Sequence, residues 1–234
     1  TYKSLNEALF HGAVAARARI ELDFVSSEEL DPEDPGARLG DADGILVPGG
    51  FGERGAEGKI AAIRWARENR RPFFGICLGM QLAVIEYARH VLGLRDADSR
   101  EFTTDSPDTV IHLMDDQRQV TDMGGTMRLG AFPCHLREGS KSHRIYGARE
   151  ISERHRHRYE VNPAYFERLE AAGLAIVGRS PDGRLAEMVE LDDHPYFVAC
   201  QFHPEFKSRP LEPHPLFNAF VRASLAHREA RDDG

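Results

Sequence analysis

Cys77 stands in the stretch Gly75-Ile76-Cys77-Leu78-Gly79, with a glycine two residues to either side. The apolar run Pro72-Phe73-Phe74 precedes it, and Met80 to Ala88 follows with the spacing of a helix that has an apolar face. Strand, sharp turn and helix in that order form a nucleophile elbow, in which glycines flank a reactive side chain held at a helix N-terminus. The N–H groups and dipole at that end stabilise a thiolate. The competing reading is a small buried core residue, the commonest place for a free cysteine. The tight glycine frame favours the nucleophile.

A thiol nucleophile needs a base, and the base needs a third group to orient it. Gln201-Phe202-His203-Pro204-Glu205 offers both, directly after the apolar run Phe197-Val198-Ala199-Cys200. Strand alternation would set His203 and Glu205 on one side, with Pro204 stiffening the backbone between them. Histidine titrates near neutral pH, and a neighbouring carboxylate fixes its tautomer and steadies its imidazolium. Cys77, His203 and Glu205 therefore make a candidate triad for acyl transfer. Such chemistry also needs an oxyanion site. The backbone N–H of Leu78 is one donor; the second comes from Gly49-Gly50-Phe51, where missing side chains let the backbone approach a ligand.

The elements that position these groups alternate along the first part of the chain. Tyr2 to Arg17 reads as a helix, Ile20-Leu22-Phe24 as a strand, and Gly44 to Val47 as a buried strand that runs into Pro48-Gly49-Gly50. Glu57 to Asn69 is a helix, and the elbow strand and helix follow. This order predicts an α/β fold with a mostly parallel central sheet, right-handed crossovers and helices on both faces. Ligands in such sheets bind beyond the carboxyl ends of the strands, where both the Gly49-Gly50 loop and the elbow lie. Further on, residues 110–114, 128–136, 151–161 and 196–202 read as extended, and 115–121 as a polar stretch. Asn162-Pro163 opens a short helix over 164–172, and Pro181-Asp182-Gly183 turns a hairpin between 174–180 and 184–191. A helix over 214–230 closes a single domain spanning 1–234, with an extra small antiparallel region in its middle.

Composition excludes several classes. A net charge of −8 over 234 residues leaves no electrostatic footprint for nucleic acid or an anionic membrane. No apolar run has the length of a membrane span, and the first residues do not read as a secretory signal. Three cysteines (Cys77, Cys134, Cys200) lack metal-ligand spacing and point to a reducing cytoplasm. His155 and His157 stand two apart with no cysteine or acid at ligand spacing, so the alternating Arg-His run reads as a strand with a charged face and not as a metal site. Gly52 to Lys59 is no P-loop, because Ile60 follows Gly58-Lys59 and Glu53 occupies the required glycine position.

Gly75-Ile76-Cys77-Leu78-Gly79-Met80-Gln81 together with His203-Pro204-Glu205 resembles the class I, triad-type glutamine amidotransferases, whose fold is flavodoxin-like. Four narrower stretches are similar to the glutaminase domains of the CTP synthase family: 47–55 (VPGGFGERG), 124–130 (GGTMRLG), 153–162 (ERHRHRYEVN) and 198–206 (VACQFHPEF). The resemblance runs from about Tyr2 to the final helix. It implies hydrolysis of L-glutamine to glutamate and ammonia, with Cys77 as nucleophile, His203 as general base and acid, and Glu205 as its orienter. Gly50 and the run Leu78, Gly79, Met80 and Gln81 would hold the glutamine, Glu101 its α-ammonium and Arg158 its α-carboxylate. A zwitterionic substrate calls for one acid and one base, and arginine suits bidentate carboxylate binding. Taken alone, Glu101 would read as a solvated loop acid and Arg158 as a strand-face cation.

The resemblance further implies a synthetase domain that uses the ammonia, with ATP and Mg²⁺, to aminate UTP to CTP, in a homotetrameric enzyme. It implies GTP as an allosteric activator near the glutaminase entrance, where Phe51, Arg54 and Arg128 are candidates. No cofactor is expected in this domain itself. The family pattern begins with a strand ahead of the first helix, and neither that strand nor the synthetase domain is found in this sequence; the expectation is a fragment of a two-domain enzyme. The alternatives are a γ-glutamyl peptide hydrolase of the same fold and a non-catalytic regulatory module.

Overall fold

Leu5, Ala8, Leu9, Gly12 and Ala13 fall on one buried face of helix α1 (Lys3–Ala16). That face packs on the last helix, α7 (Pro215–Asp232), so closely that a Cβ on Gly12 would lie 3.0 Å from the Phe217 carbonyl oxygen. The computed structural model describes residues 2–113 and 127–232. The expected polar stretch 115–121, together with Met114 and Gly124 to Thr126, lies outside the described residues.

At the centre is a seven-stranded sheet formed by β1 (Ile45–Val47), β2 (Phe73–Ile76), β5 (Arg128–Leu136), β6 (Glu150–His157), β8 (Leu174–Arg179), β9 (Ala186–Leu191) and β10 (Phe197–Cys200). Their order is β1-β2-β10-β9-β8-β5-β6. Period-two alternation sends consecutive residues of the middle strands to opposite faces. Phe73, Phe197 and Ala199 join α3 (Ala56–Glu68) and α4 (Leu78–His90) in one core. Phe74, Ile76, Val198 and Cys200 join α1 and α7 in the other. Helices cover both faces, as the sequence pattern requires, and the short helices α2 (Gly36–Leu39) and α6 (Phe166–Ala171) add Leu39, Phe166 and Leu169 to the first core. Phe73, Phe74 and Phe197 are fully buried, and each such side chain contributes about 2–3 kcal/mol of apolar burial.

The sheet is mixed rather than mostly parallel. Only β1–β2 and β2–β10 pair in parallel; β10–β9, β9–β8, β8–β5 and β5–β6 are antiparallel. Short connections accompany the antiparallel pairs β5–β6, β8–β9 and β9–β10, whereas β5 and β8 pair across a long excursion of the chain. The β8–β9 hairpin turns through Pro181-Asp182-Gly183, and β5 is joined to β6 through the six-residue helix α5 (Lys141–Tyr146). The small antiparallel region is thus an extension of the central sheet. A separate three-stranded sheet adds β3 (Asp98–Ser99), β4 (Thr109–Leu113) and β7 (Tyr159–Val161).

Two other expectations change. The strand expected at Ile20-Leu22-Phe24 forms no ladder: Ile20 and Leu22 rest partly against the core, and Phe24 is 67% exposed. Alternation supplies an apolar face but not a neighbour to pair with. The extended run over 151–161 breaks at Arg158, where the chain leaves the large sheet at His157 and enters the small one at Tyr159.

Arg128 ties the two sheets together. From β5 its guanidinium donates to Glu187 of β9 and to Glu160 of β7, each at 3.0 Å, and lies 4.6 Å from the Phe132 ring centroid. His155 and His157 fill the space beside it, ring nitrogen to ring nitrogen at 2.8 Å. Burial and then the neighbouring Glu187 push Glu160 up to about 8 against the pull of Arg128. Burial, followed by Arg128 and His203, pushes His155 down to about 3. Between its ordinary 4.5 and about 8, folded Glu160 keeps a proton that the unfolded chain has lost, so its contribution to stability falls as pH rises. His155 acts oppositely, raising stability as pH climbs from about 3 to 6.5. Glu160→Gln removes the falling limb. Urea unfolding at pH 5.5 and 8.5 is expected to show the variant gaining stability relative to the parent at the higher pH.

Candidate active site

The elbow forms as the glycine frame requires. Cys77 adopts φ 53° and ψ −104°, a conformation that costs a non-glycine residue on the order of 1–3 kcal/mol. Its N–H donates to the Cys200 carbonyl at 2.7 Å, and its own carbonyl accepts from Met80 and Gln81 in the first turn of α4. The flanking glycines leave no room for a side chain. A Cβ at Gly75 would stand 2.9 Å from Ala199 Cβ, and one at Gly79 would stand 2.2 Å from the Val47 carbonyl oxygen. The ends of β1, β2 and β10 therefore close directly on the turn.

His203 and Glu205 come together by a different route from the one expected. The strand ends at Cys200, and His203 precedes a 3-10 turn over Pro204–Phe206. That turn, rather than strand alternation, brings Glu205 Oε1 to 2.7 Å from His203 Nδ1. The His203 N–H donates to the Arg154 carbonyl, and the ring stacks on Phe206 at 5.3 Å. Burial disfavours the imidazolium, but the Cys77 thiolate and the Glu205 carboxylate outweigh it and raise His203 to about 10. With Nδ1 engaged by Glu205, Nε2 is the ring nitrogen left to exchange a proton with the sulfur.

Gly49 lies where these groups meet. A Cβ there would be 2.8 Å from His203 Cε1 and 3.4 Å from Cys77 Cβ, so any side chain would wedge between base and nucleophile. A Cβ at Gly50 would press on Leu78 Cδ2 at 3.2 Å. Leu78, Gly79 and Met80 are buried, with the Leu78 and Met80 side chains in the core, so only their backbone can face a ligand. The Met80 N–H is taken by the Cys77 carbonyl, so the N–H groups of Leu78 and Gly79, at the very start of the helix, are the ones suited to that role.

Glu101 follows β3 and accepts from the Gly52 N–H at 2.8 Å, which fixes it against the loop after β1. Arg158 stands at the corner between the two sheets, and its Nε is buried with no hydrogen-bond partner among the described residues. Both charges act on Tyr159, whose hydroxyl is raised by burial and by Glu101 and lowered by Arg158. The site thus offers one acid and one base close to the elbow.

The candidates for an allosteric nucleotide separate. Phe51 is exposed, and Arg54 pairs with Glu28 at the surface. Arg128 is buried between two carboxylates and does not present its guanidinium to an entrance. In the Arg-His run, Arg154 and Arg156 are exposed while His155 and His157 are buried. Among the described residues, no group of three or more His, Cys, Asp and Glu side chains is arranged to hold a metal ion. Sequence reasoning gave no role to Gln201, whose amide lies 3.7 Å from the Cys77 sulfur. Its place two residues before the histidine, at the end of a buried strand, was the available signal.

The model of the glutamine amidotransferase class-I family matches residues 1–223. The chain belongs to the class-I glutamine amidotransferases. It is 58% identical over 231 residues to a CTP synthase of Syntrophus aciditrophicus and 59% identical over 234 residues to one of Symbiobacterium thermophilum. These alignments cover 99% and 98% of this chain but 43% of each relative, so the chain spans less than half the length of the curated relatives it matches. The glutaminase domain of Trypanosoma brucei CTP synthase, solved with bound acivicin, superposes with a TM-score of 0.91 at 42% identity, covering 96% of this chain and 88% of that one. Within the amidotransferases this chain is therefore a domain of the CTP synthase glutaminase type.

Two outcomes follow from the geometry. Gly79→Ala is expected to lower the midpoint of thermal unfolding sharply, since its Cβ meets backbone that cannot yield. Glu205→Gln is expected to lower the titration midpoint of His203 well below about 10, as followed by NMR of the ring, because burial then meets less opposition.

Proposed function

We propose that this amidotransferase domain hydrolyses L-glutamine to glutamate and ammonia through a glutamyl thioester on Cys77. The observation that carries the proposal is the convergence of the strained Cys77, His203 and Glu205 beside a loop whose glycine, Gly49, lets base and nucleophile meet. Arg158, with its unpartnered Nε, would take the α-carboxylate, and Glu101 the α-ammonium. Acivicin, bound in the Trypanosoma brucei domain, is a glutamine analogue, which supports the same substrate here.

The thiolate attacks the side-chain carbonyl carbon of glutamine, and the carbonyl electrons move onto oxygen. The Leu78 N–H and the Gly49-Gly50 loop would hold that oxyanion; a donor of this kind is worth about 3–4 kcal/mol. As the oxyanion collapses, the C–N bond breaks and the departing nitrogen takes the proton of the His203 imidazolium, leaving as ammonia. Thioester formation removes the thiolate, one of the two influences that raise His203. Burial then favours the neutral ring, which accepts a proton from the attacking water. Collapse of the second tetrahedral species breaks the C–S bond and restores thiolate and imidazolium. One residue thus serves as acid and then base because its partner changes charge between the steps.

The ammonia would pass to a synthetase domain that aminates UTP to CTP with ATP and Mg²⁺, in a cytoplasmic homotetramer. This extends the resemblance and the identity to full CTP synthases. Phe51 and Arg54, on the exposed loop after β1, remain candidates for contact with GTP. Glutamine turnover measured with and without GTP is the test. Cys77→Ala is expected to lose glutamine hydrolysis by at least 10⁴-fold, on the order seen when a catalytic nucleophile is removed. Arg158→Met is expected to raise KM for glutamine about tenfold or more with a smaller change in kcat. Turnover of γ-glutamyl peptides without turnover of glutamine would replace this reading with a peptide hydrolase. A glutamine analogue that leaves Cys77 unlabelled would favour a regulatory module.

A further inference from the structure

We propose that Gln201 is a catalytic residue of this site, its side-chain amide donating to the Cys77 sulfur and holding it as a thiolate. The proposal rests on Cys77 being the nucleophile. Gln201 is fully buried, with Nε2 3.7 Å from Cys77 Sγ, a reasonable separation for an N–H donor to the large sulfur atom. Its backbone is fixed as well, the N–H donating to the Glu187 carbonyl at 2.9 Å.

The direction of the amide follows from its neighbours. The Tyr159 backbone carbonyl can only accept, so the Gln81 side-chain atom 3.0 Å from it must be the amino group. The same Nε2 lies 3.2 Å from the side-chain oxygen of Gln201. Gln81 therefore donates one hydrogen to Tyr159 and one to Gln201, which turns the Gln201 carbonyl toward Gln81 and its amino group toward the sulfur. Flipping Gln81 would set its carbonyl against that of Tyr159, and flipping Gln201 would set its amino group against that of Gln81.

Burial gives this donor its weight. Cys77 and Gln81 are each 3% exposed and Gln201 is not exposed at all, so water has little access to a charged sulfur here. A buried anion is costly unless hydrogen-bonded. The helix N-terminus and the His203 imidazolium supply two stabilising influences, and the Gln201 amide supplies a third from the side of β10. The amide chain ends on the carbonyl of Tyr159, the residue after Arg158, so the donor on the sulfur and the substrate anchor share one rigid support.

The test is the rate of Cys77 alkylation by iodoacetamide between pH 5 and 10, read by peptide mass spectrometry, in the chain and in its Gln201→Met and Gln201→Glu variants. Methionine keeps the length and removes the donor; glutamate adds a like charge. The expected order at pH 7 is wild type, then Gln201→Met slower by about tenfold, then Gln201→Glu slower still, with the midpoint of the profile moving to higher pH. For glutamine, kcat is expected to fall in the same order while KM changes little. Profiles that coincide in all three proteins overturn the proposal. If Gln201→Met fails to fold, Gln81→Met carries the test: it leaves Gln201 in place without the donor that orients it, and a smaller upward shift is expected, while an unshifted profile overturns the proposal. Wild-type Cys77 that reacts no faster than buried Cys134 would instead overturn its reading as nucleophile.

Discussion

The backbone at Cys77 is the constraint from which the rest of the site follows. A non-glycine residue at φ 53° is unfavourable in isolation, and it persists because three strands meet around it. The Val47 carbonyl fills the space beside Gly79, Ala199 fills that beside Gly75, and the Cys200 carbonyl takes the Cys77 N–H. The parallel trio β1-β2-β10 is thus the minimum scaffold for the chemistry: β2 carries the nucleophile, β1 ends in the loop whose glycine lets base and nucleophile meet, and β10 leads to the histidine. The antiparallel half of the sheet serves another purpose. It extends the platform to β5 and β6, from which Arg128 and the buried histidines brace the corner that presents Arg158.

Electrostatics divides along the same line. On the substrate side, His203 is held charged by partners that outweigh its burial. Behind it, His155 is held neutral by burial, with Arg128 and His203 adding to the effect. The two histidines receive opposite assignments because His203 holds Glu205 at 2.7 Å and feels the Cys77 thiolate, whereas His155, with Glu187 no nearer than 3.7 Å, is dominated by burial and by the positive charge of Arg128. Arg128 is committed to two buried glutamates, and removing it would leave their carboxyls without a counter-charge in a dry interior.

Much of this was legible in the sequence where a local rule sufficed. Glycine spacing around Cys77 announced the elbow, because only a residue without a side chain fits against Val47 and Ala199. The Arg-His alternation announced a two-faced strand, and Asn162-Pro163 announced a capped turn, with the Asn162 side chain accepting from the Ala164 N–H. Failures came where a tertiary partner decides. Ile20-Leu22-Phe24 has the pattern of a strand but forms no ladder. The order of elements suggested parallel pairing, while three short connections and the long-range β5–β8 pair made the second half antiparallel. Arg128 was a candidate for contact with GTP because its two carboxylate partners, 32 and 59 residues away, leave no local sign of its burial. Gln201 stood inside a motif whose histidine and glutamate drew the attention, and only its distance to the sulfur gives it a role.

The most direct test of a sulfur-bound acyl intermediate is to quench the chain with acid during turnover of glutamine and locate any adduct by peptide mass spectrometry. A glutamyl group on Cys77, absent from Cys134 and Cys200 and lost on standing in base, is the expected result. Glutamine hydrolysis at full rate with no adduct on Cys77 at any quench time, in a protein whose Cys77→Ala variant still turns over, would contradict it.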